Sequence, residues 1–388
     1  MKVLMVFPFE FPGRNQWEGS RSRLLSLSRG LAERGFEVHI LSKPDPTHAG
    51  RELDGIKLHS FPPYGLKPGG KFAGALLAGR GVEQLARRHD FDVVHCHMPV
   101  VSASVALWKP LIGPKTVFDT HDWFKVHDEL YHNLPLAPKV LGGAADWLER
   151  EIARANDGVL VTTGLLSRLV HLRAKVFVVP NPIDTEHFRP GRSKSRSSRL
   201  GGADFVIGFL GSVSVHQGFW NLLEAVKVVS TKVEGVKLLA VGGGFVEAAK
   251  EECTRLGIAD KVVFTGPDRV PYGEVPDLVN AMDVAVSPLI PSPRYQEYAQ
   301  PLKVLEYMAC EVPTVVTPLA EQSRIVAESD AGVIARGFGG REMADAILEA
   351  HSRRDDASRE RSRRYVVANH SVGNVTQRLI AAYEALLA

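Results

Sequence analysis

Short apolar, β-branched runs alternate with longer stretches of helical periodicity along this chain. The alternation stops once, at a polar stretch rich in Pro, Ser and Arg, and then starts again. Few architectures accept that pattern. Val3–Phe7, Glu37–Leu41, Val93–His95, Thr116–Asp119 and Gly158–Thr162 are short and bounded by charge or by Gly, Pro and Asp, as parallel strands covered on both faces are. Between the first two, Arg21–Arg34 repeats Leu24, Leu27 and Leu31 at helical spacing. Leu25 widens the stripe, and Arg21, Arg23 and Arg29 fall mostly outside it. Gly35 is expected to close this helix.

After Pro180–Gly202, whose GRSKSRSSRLGG segment has no apolar face, strands are expected at Phe205–Phe209, Val236–Val241, Val262–Thr265, Val284–Ser287 and Thr314–Thr317. Helices are expected near Phe219–Val229, Val304–Ala309 and Val375–Leu387. The chain of 388 residues is long enough for two or three domains at about 100–200 residues each. The predicted organisation is α/β: a doubly wound domain at 1–180, a solvated interdomain linker at 181–202, a second such domain at 203–370 and a closing helix at 371–388, for which packing back on the first domain is one option. In such sheets ligands gather outside the carboxyl ends of the strands.

Composition removes several other classes. Hydrophobic residues make up 45% and charged residues 23%, ordinary values for a folded globular chain. Three widely spaced cysteines, Cys96, Cys253 and Cys310, form neither a disulfide framework nor a metal clip. MKVLMVFPFEFPG is broken by Pro8, Glu10 and Pro12 and does not resemble a signal peptide, and no run approaches the ~18 apolar residues of a membrane span. A net charge of +3 gives no argument for nucleic acid. The expectation is a soluble, cytoplasmic protein.

Several segments, taken in order, carry a more specific signal: FPFEFPG with a Gly19-containing loop, LAERGFEVHIL, DFDVVHCHMP, VFDTHDW, VVPNPIDTEHFRP, IGFLGSVSVHQGFWNLLEAV, KLLAVGGG, VVFTGPDRV and PLKVLEYMACEVPTVVTP. Together they resemble the retaining glycosyltransferases of the GT-B fold, family 4, in the family's own order and over nearly the whole chain. The resemblance implies two Rossmann-like domains facing across a cleft. The amino-terminal one would bind the acceptor and the carboxy-terminal one the nucleotide-sugar.

Gly211 ends a predicted strand before the helix at Phe219, where backbone N–H groups and the helix dipole suit a diphosphate; a tight turn requiring glycine is the plainer account. Members of the family follow this glycine with Arg and place Lys before the next glycine. Here those positions are Ser212 and Gln217, neutral groups that cannot stabilise a leaving diphosphate as cations do. By the same resemblance Lys303 is the substitute cation, with Arg294 a weaker second, and Leu302 and Val304 flank it in the donor-binding set. Glu306 corresponds to the second glutamate of the family's E-x7-E motif, which grips the donor ribose; a carboxylate suits a vicinal diol. The first glutamate falls at Tyr298, so Glu297 is the off-register replacement. Gly243 belongs to the donor-pocket wall, and Asp268 and Arg269 to the base pocket or to an ordinary turn.

In the first domain the resemblance puts His121 near the reacting centre, Asp122 and His97 at the acceptor with Asp119 as a local alternative, and Gly19 near the diphosphate, where Ser20 also suits a plain helix cap. Asn181 suits turn chemistry at the domain crossing. His95 and His97 with His121 could suggest a metal site, but no carboxylate completes the set. The family's chemistry needs no metal, and neither metal nor cofactor is expected.

The function implied is transfer of a sugar with retention, from a nucleoside diphosphate donor (UDP favoured over GDP) to a glycan, lipid-linked or natural-product acceptor. Without an evident nucleophilic carboxylate, front-face substitution is favoured. A UDP-sugar 2-epimerase and a nucleotide-binding homologue without turnover are the alternatives. Peripheral membrane contact through Arg21–Arg34 is a further option, weighed against plain docking of that helix; the sequence gives no oligomeric state.

Overall fold

A computed structural model describes residues 1–12, 19–44, 51–61, 78–120, 138–169, 175–266, 270–291, 299–353 and 356–388, the side chains of 138–146, 168 and 169 excepted. His121, Asp122, Asp268, Arg269, Arg294, Glu297 and Tyr298 lie outside the described residues. The chain divides into two compact units, one of Met1–Pro182 with Val372–Ala388 and one of Ile183–Ser371.

The described elements of the first unit are β1 (Lys2–Phe11), α1 (Gly19–Ala32), β2 (Glu37–Pro44), β3 (Glu52–Leu53), β4 (Ile56–Ser60), α2 (Ala78–Ala86), β5 (Val93–His97), α3 (Pro99–Trp108), β6 (Lys115–Thr120), α4 (Pro138–Ala155), β7 (Gly158–Val161), α5 (Gly164–Leu169) and β8 (Lys175–Val178). The strands form one sheet in the order β3-β4-β2-β1-β5-β6-β7-β8, parallel throughout except for the β3–β4 pair. Val3, Met5 and Phe7 turn to one face and Leu4 and Val6 to the other, all fully buried, so β1 is apolar without alternation. It runs on to Phe11 although Pro8 and Glu10 look like breakers. A register shift between Val6 and Glu10 absorbs the interruption, and Glu10 and Phe11 pair again with Lys43 and Pro44.

Leu24, Leu27 and Leu31 of α1 pack into the same core as Val3 and Met5. Burial of such a side chain is worth roughly 1.5–3 kcal/mol. The apolar stripe of Arg21–Arg34 is therefore used inside the unit, as the docked-helix alternative expects. Residues from the end of the chain join this core. Val375, Leu379, Tyr383 and Leu386 insert their side chains beside β1 and β5, and Val372–Leu387 belongs to the first unit despite its distance in sequence.

The second unit holds α6 (Ser195–Leu200), β9 (Phe205–Leu210), α7 (Phe219–Ser230), β10 (Val236–Val241), α8 (Val246–Leu256), β11 (Val262–Phe264), α9 (Val275–Val279), β12 (Val284–Ser287), α10 (Leu302–Ala309), β13 (Thr314–Val316), α11 (Ala320–Ser329), β14 (Val333–Ile334), α12 (Gly340–Arg353) and α13 (Asp356–His370); the helix Val372–Leu387, in the first unit, is α14. Its sheet is parallel, in the order β11-β10-β9-β12-β13-β14. β9 is central and buried at every residue. The stretch expected to be a solvated linker is different in structure. From Ile183 it is part of this unit, anchored through Lys194, Ser195 and Arg196, while Arg192, Lys194 and Arg199 are exposed as expected of a solvated stretch. The Lys194 and Ser195 amides donate to the Asp277 carboxylate (2.7 and 3.0 Å), and Arg196 forks onto Asp283 (3.0 and 2.9 Å). None of the helices among the described residues is long and apolar enough to cross a membrane.

Candidate active site

The second unit gathers its glycine-rich loops at the carboxyl ends of β9 and β10. The Gly211 amide donates to Val241 O (2.9 Å), Val213 to Gly243 O (2.8 Å) and Phe245 to Val213 O (2.9 Å), which zips the two loops together beyond the strands. Glycine is required where they touch. Gly242 has φ +136°, and a Cβ there would lie 2.1 Å from the Gly211 carbonyl oxygen. Ser212 is exposed and Gln217 partly so, both in the loop that leads to α7.

The helix α10 is fixed against these loops by Tyr307. Its buried hydroxyl receives the Leu210 amide at 2.6 Å at the very end of β9. One turn earlier, Lys303 reaches over Gly211, so that a Cβ on that glycine would lie 2.9 Å from Nζ. The ammonium donates to the side-chain carbonyl of Gln217 and stands 4.8 Å from the centre of the Phe209 ring, a favourable cation–π distance. Burial pushes the Lys303 pKa down to about 7, against the pull of Glu306. Burial likewise raises Glu306 to about 7, opposed by Lys303. The two side chains are three residues apart on one helix, hence on one face. Leu302 opens the helix, and the Val304 amide is turned back onto Pro301 O (3.2 Å) with its side chain in the core. For Val304 the expected donor contact is therefore corrected, because neither its side chain nor its amide faces outward.

In the first unit, Gly19 is the exposed first residue of α1. The residues expected at the acceptor form a buried polar cluster. The Arg23 guanidinium grips both carboxylate oxygens of Asp119 (2.8 and 3.2 Å) and donates to Val179 O, Pro180 O and Asn181 Oδ1. His95 bridges Asp119 Oδ2 (3.1 Å) and the Tyr383 hydroxyl (2.6 Å). His97 stacks on His95 with ring centres 4.4 Å apart and is fully enclosed. This corrects the expected acceptor contact of His97 and the alternative role of Asp119: both lie in the interior, where charge has to be paired. The same cluster shows what sequence reading missed. Arg23 was expected outside the apolar stripe, yet it is 1% exposed. The only local hint was an Arg one residue before Leu24 on a helix that follows a strand.

Comparison with known proteins gives a consistent picture. The family model described as Glycosyltransferase Family 4 matches residues 17–187, and that of Glycosyl transferases group 1 matches residues 204–353. A D-inositol 3-phosphate glycosyltransferase from Stackebrandtia nassauensis is 28% identical over 89% of this chain and 82% of its own length. A phosphatidyl-myo-inositol mannosyltransferase from Mycobacterium leprae is 24% identical over 95% and 91%. Among solved structures, a sucrose-phosphate synthase from Thermosynechococcus elongatus superposes with a TM-score of 0.77 at 16% identity, covering 100% of this chain and 99% of that one. Anabaena HepE in complex with UDP-glucose gives 0.74 at 18% identity over 99% and 100%. Two predominantly parallel α/β sheets, the glycine loops after β9 and β10, and two family models that between them span most of the sequence lead to one conclusion: the chain belongs to the family 4 glycosyltransferases of the GT-B fold.

Proposed function

We propose that this glycosyltransferase takes its sugar from a nucleoside diphosphate donor, UDP before GDP, and transfers it with retention of configuration. The observation that carries the reading is the position of Lys303, held over Gly211 by Gln217. The family's two loop cations are replaced by Ser212 and Gln217, and the second of these replacements accepts a hydrogen bond from the cation that remains. A lysine at 217 would repel Lys303; a glutamine orients it. With a diphosphate at the loop, Lys303 would exchange its bond to Gln217 for phosphate oxygens, and the added negative charge would keep it protonated.

Glu306, one helical turn on, supplies the carboxylate for a ribose diol. Gly211, Ser212 and Gly243 contribute the backbone around the diphosphate, and Leu302 the start of α10. Gly19 is assigned to the diphosphate, His121 to the reacting centre and Asp122 to the acceptor, with Asp268, Arg269 and Glu297 completing the donor set. Collapse of the donor bond would leave charge on the departing phosphate, which can take the proton of the incoming hydroxyl while Lys303 stabilises the diphosphate. No metal or other cofactor is assigned a part in these steps.

The structural neighbour solved with UDP-glucose supports a UDP-sugar, and the names of the relatives make inositol phosphate and phosphatidylinositol the first acceptors to assay. The test is turnover of UDP-, GDP- and ADP-sugars with those acceptors, with the anomeric configuration of the product read by NMR. An α-linked product from an α-linked donor supports the proposal. Inversion, acceptor-independent conversion of the sugar, or unchanged rates in Lys303→Ala and Glu306→Ala would overturn it.

A further inference from the structure

A second cluster of ionisable side chains lies in the first unit and contains none of the residues assigned to donor or acceptor. His39 of β2, His59 of β4 and His89, in the segment between α2 and β5, each turn one ring nitrogen inward, and these three atoms lie within 4.8 Å of one another. β2 and β4 run parallel with Leu41 opposite His59, so His39 and His59 are two residues out of step on one face of the sheet. His39 Nδ1 and His59 Nε2 are 2.9 Å apart, and Phe91 covers the His39 ring edge-on with centres 5.0 Å apart. His39 is buried, while His59 and His89 are partly exposed, leaving a way in from solvent.

The decisive detail is on the far side of His39. Its Nε2 faces the Glu37 carboxylate at 3.0 Å. Lys57 (2.6 Å) and Lys2 (3.3 Å) pair with that carboxylate and hold it ionised. An ionised carboxylate accepts, so Nε2 carries the proton and Nδ1 presents a lone pair toward His59. A carboxylate that fixes the tautomer of a histidine whose other nitrogen points at further imidazoles is the arrangement that supports metal ligands. The Lys57 ammonium opposes a cation here, but it is neutralised by Glu37.

We propose that His39, His59 and His89 form a binding site for a borderline divalent cation such as Zn2+, with Glu37 as the positioning carboxylate and a fourth position open to water. Three imidazoles suit Zn2+, and Zn–N distances of about 2.0–2.1 Å put tetrahedral ligand atoms about 3.3 Å apart. The His39–His59 pair needs to open by only a few tenths of an ångström, with His59 moving its proton to Nδ1. The ion would tie together β2, β4 and the entry to β5. The other histidine group, His95 and His97 with Asp119, is not such a site because the Arg23 guanidinium already occupies both carboxylate oxygens.

The test uses the full chain, stripped with chelator and titrated with Zn2+ alone by calorimetry, with Co2+ as a spectroscopic probe. One equivalent should bind, Co2+ should give the intense visible bands of a tetrahedral site, and thermal stability should rise with the metal. Glu37→Gln should weaken binding about ten- to a hundredfold, with larger losses in His59→Gln and His89→Gln, which alter partly exposed side chains. Affinity should fall as the pH is lowered and protons compete with the metal for the imidazoles. Failure to take up a stoichiometric ion, or uptake unchanged in both histidine variants, overturns the proposal. Sugar transfer measured on the same preparations is expected to persist, which separates failure here from failure of the donor-site reading.

Discussion

Lys303 donates a hydrogen bond to Gln217, a residue 86 positions earlier in the chain, and the bond spans the loop where the family carries its diphosphate-binding cations. If Lys303 is the cation that meets the diphosphate, Lys303→Ala should lower kcat/KM for the donor by about 10²–10³-fold, the usual loss when a charge-stabilising group is removed. Gln217→Ala should have a smaller effect that falls mainly on donor KM, since it frees the lysine without removing its charge. Steady-state kinetics over a donor series checks both, and equal losses in the two variants would contradict the division of roles.

The Lys303–Glu306 pair also sets a pH dependence. Lys303, pushed down to about 7 by burial, loses its charge as pH rises through that value. Glu306, raised to about 7 by burial, loses its charge as pH falls through it. In the proposed roles diphosphate binding requires the lysine protonated and diol binding the carboxylate ionised, so kcat/KM for the donor should be bell-shaped with its maximum near pH 7, reporting the coupled pair in the free enzyme. Lys303→Arg should flatten the alkaline limb and Glu306→Gln the acid limb. A plateau extending well above pH 8 in the unmodified protein would contradict this.

Arg23 and Asp119 are 1% and 0% exposed, so removing one partner leaves a buried charge uncompensated. Arg23→Met should cost about 3–5 kcal/mol of stability, read as a lower urea midpoint, while the paired change Arg23→Met with Asp119→Leu should recover much of the loss. If the single variant is as stable as the parent, the cluster carries no net stabilisation.

The parallel sheets were legible because buried strands on both faces leave continuous apolar runs such as Phe205–Leu210, and the helix that carries Lys303 and Glu306 was legible from the apolar residues of Val304–Ala309. What the sequence hid is long-range. The ends of Arg23's bonds lie 96 to 158 residues away, and His95 meets Tyr383 across 288, distances at which no periodicity reports. His97 was misplaced for a related reason. A histidine at a strand end is compatible with solvent or with the interior, and the choice was made by Asp119 and Arg23, which helix α1 delivers. The polar stretch at 183–202 reads as a connector because most of its arginines and serines are exposed; its attachment to the second unit comes from the Lys194 and Ser195 amides and the Arg196 guanidinium, for which the distant Asp277 and Asp283 supply acceptors.

The close approach of the two glycine loops gives the last test. A methyl group at 242 would meet the Gly211 carbonyl oxygen at 2.1 Å, and the backbone there has φ +136°, which an L-residue adopts only under strain. Gly242→Ala must therefore push the loop after β10 away from the loop after β9, disturbing the Gly211 amide bond to Val241 that registers the two loops. The expected result is a fall in stability of more than about 1 kcal/mol, together with a weaker donor complex, because Gly211 is the surface over which Lys303 is held. Gly257→Ala is the matched control. It also has positive φ, +71°, but nothing lies within 4 Å of the added Cβ, so it should cost stability while leaving donor KM unchanged. Calorimetric unfolding and donor titration of the two variants separate backbone strain, common to both, from displacement of the loops, which only Gly242→Ala produces. If donor affinity survives in Gly242→Ala, the contact between the loops does not shape the donor site.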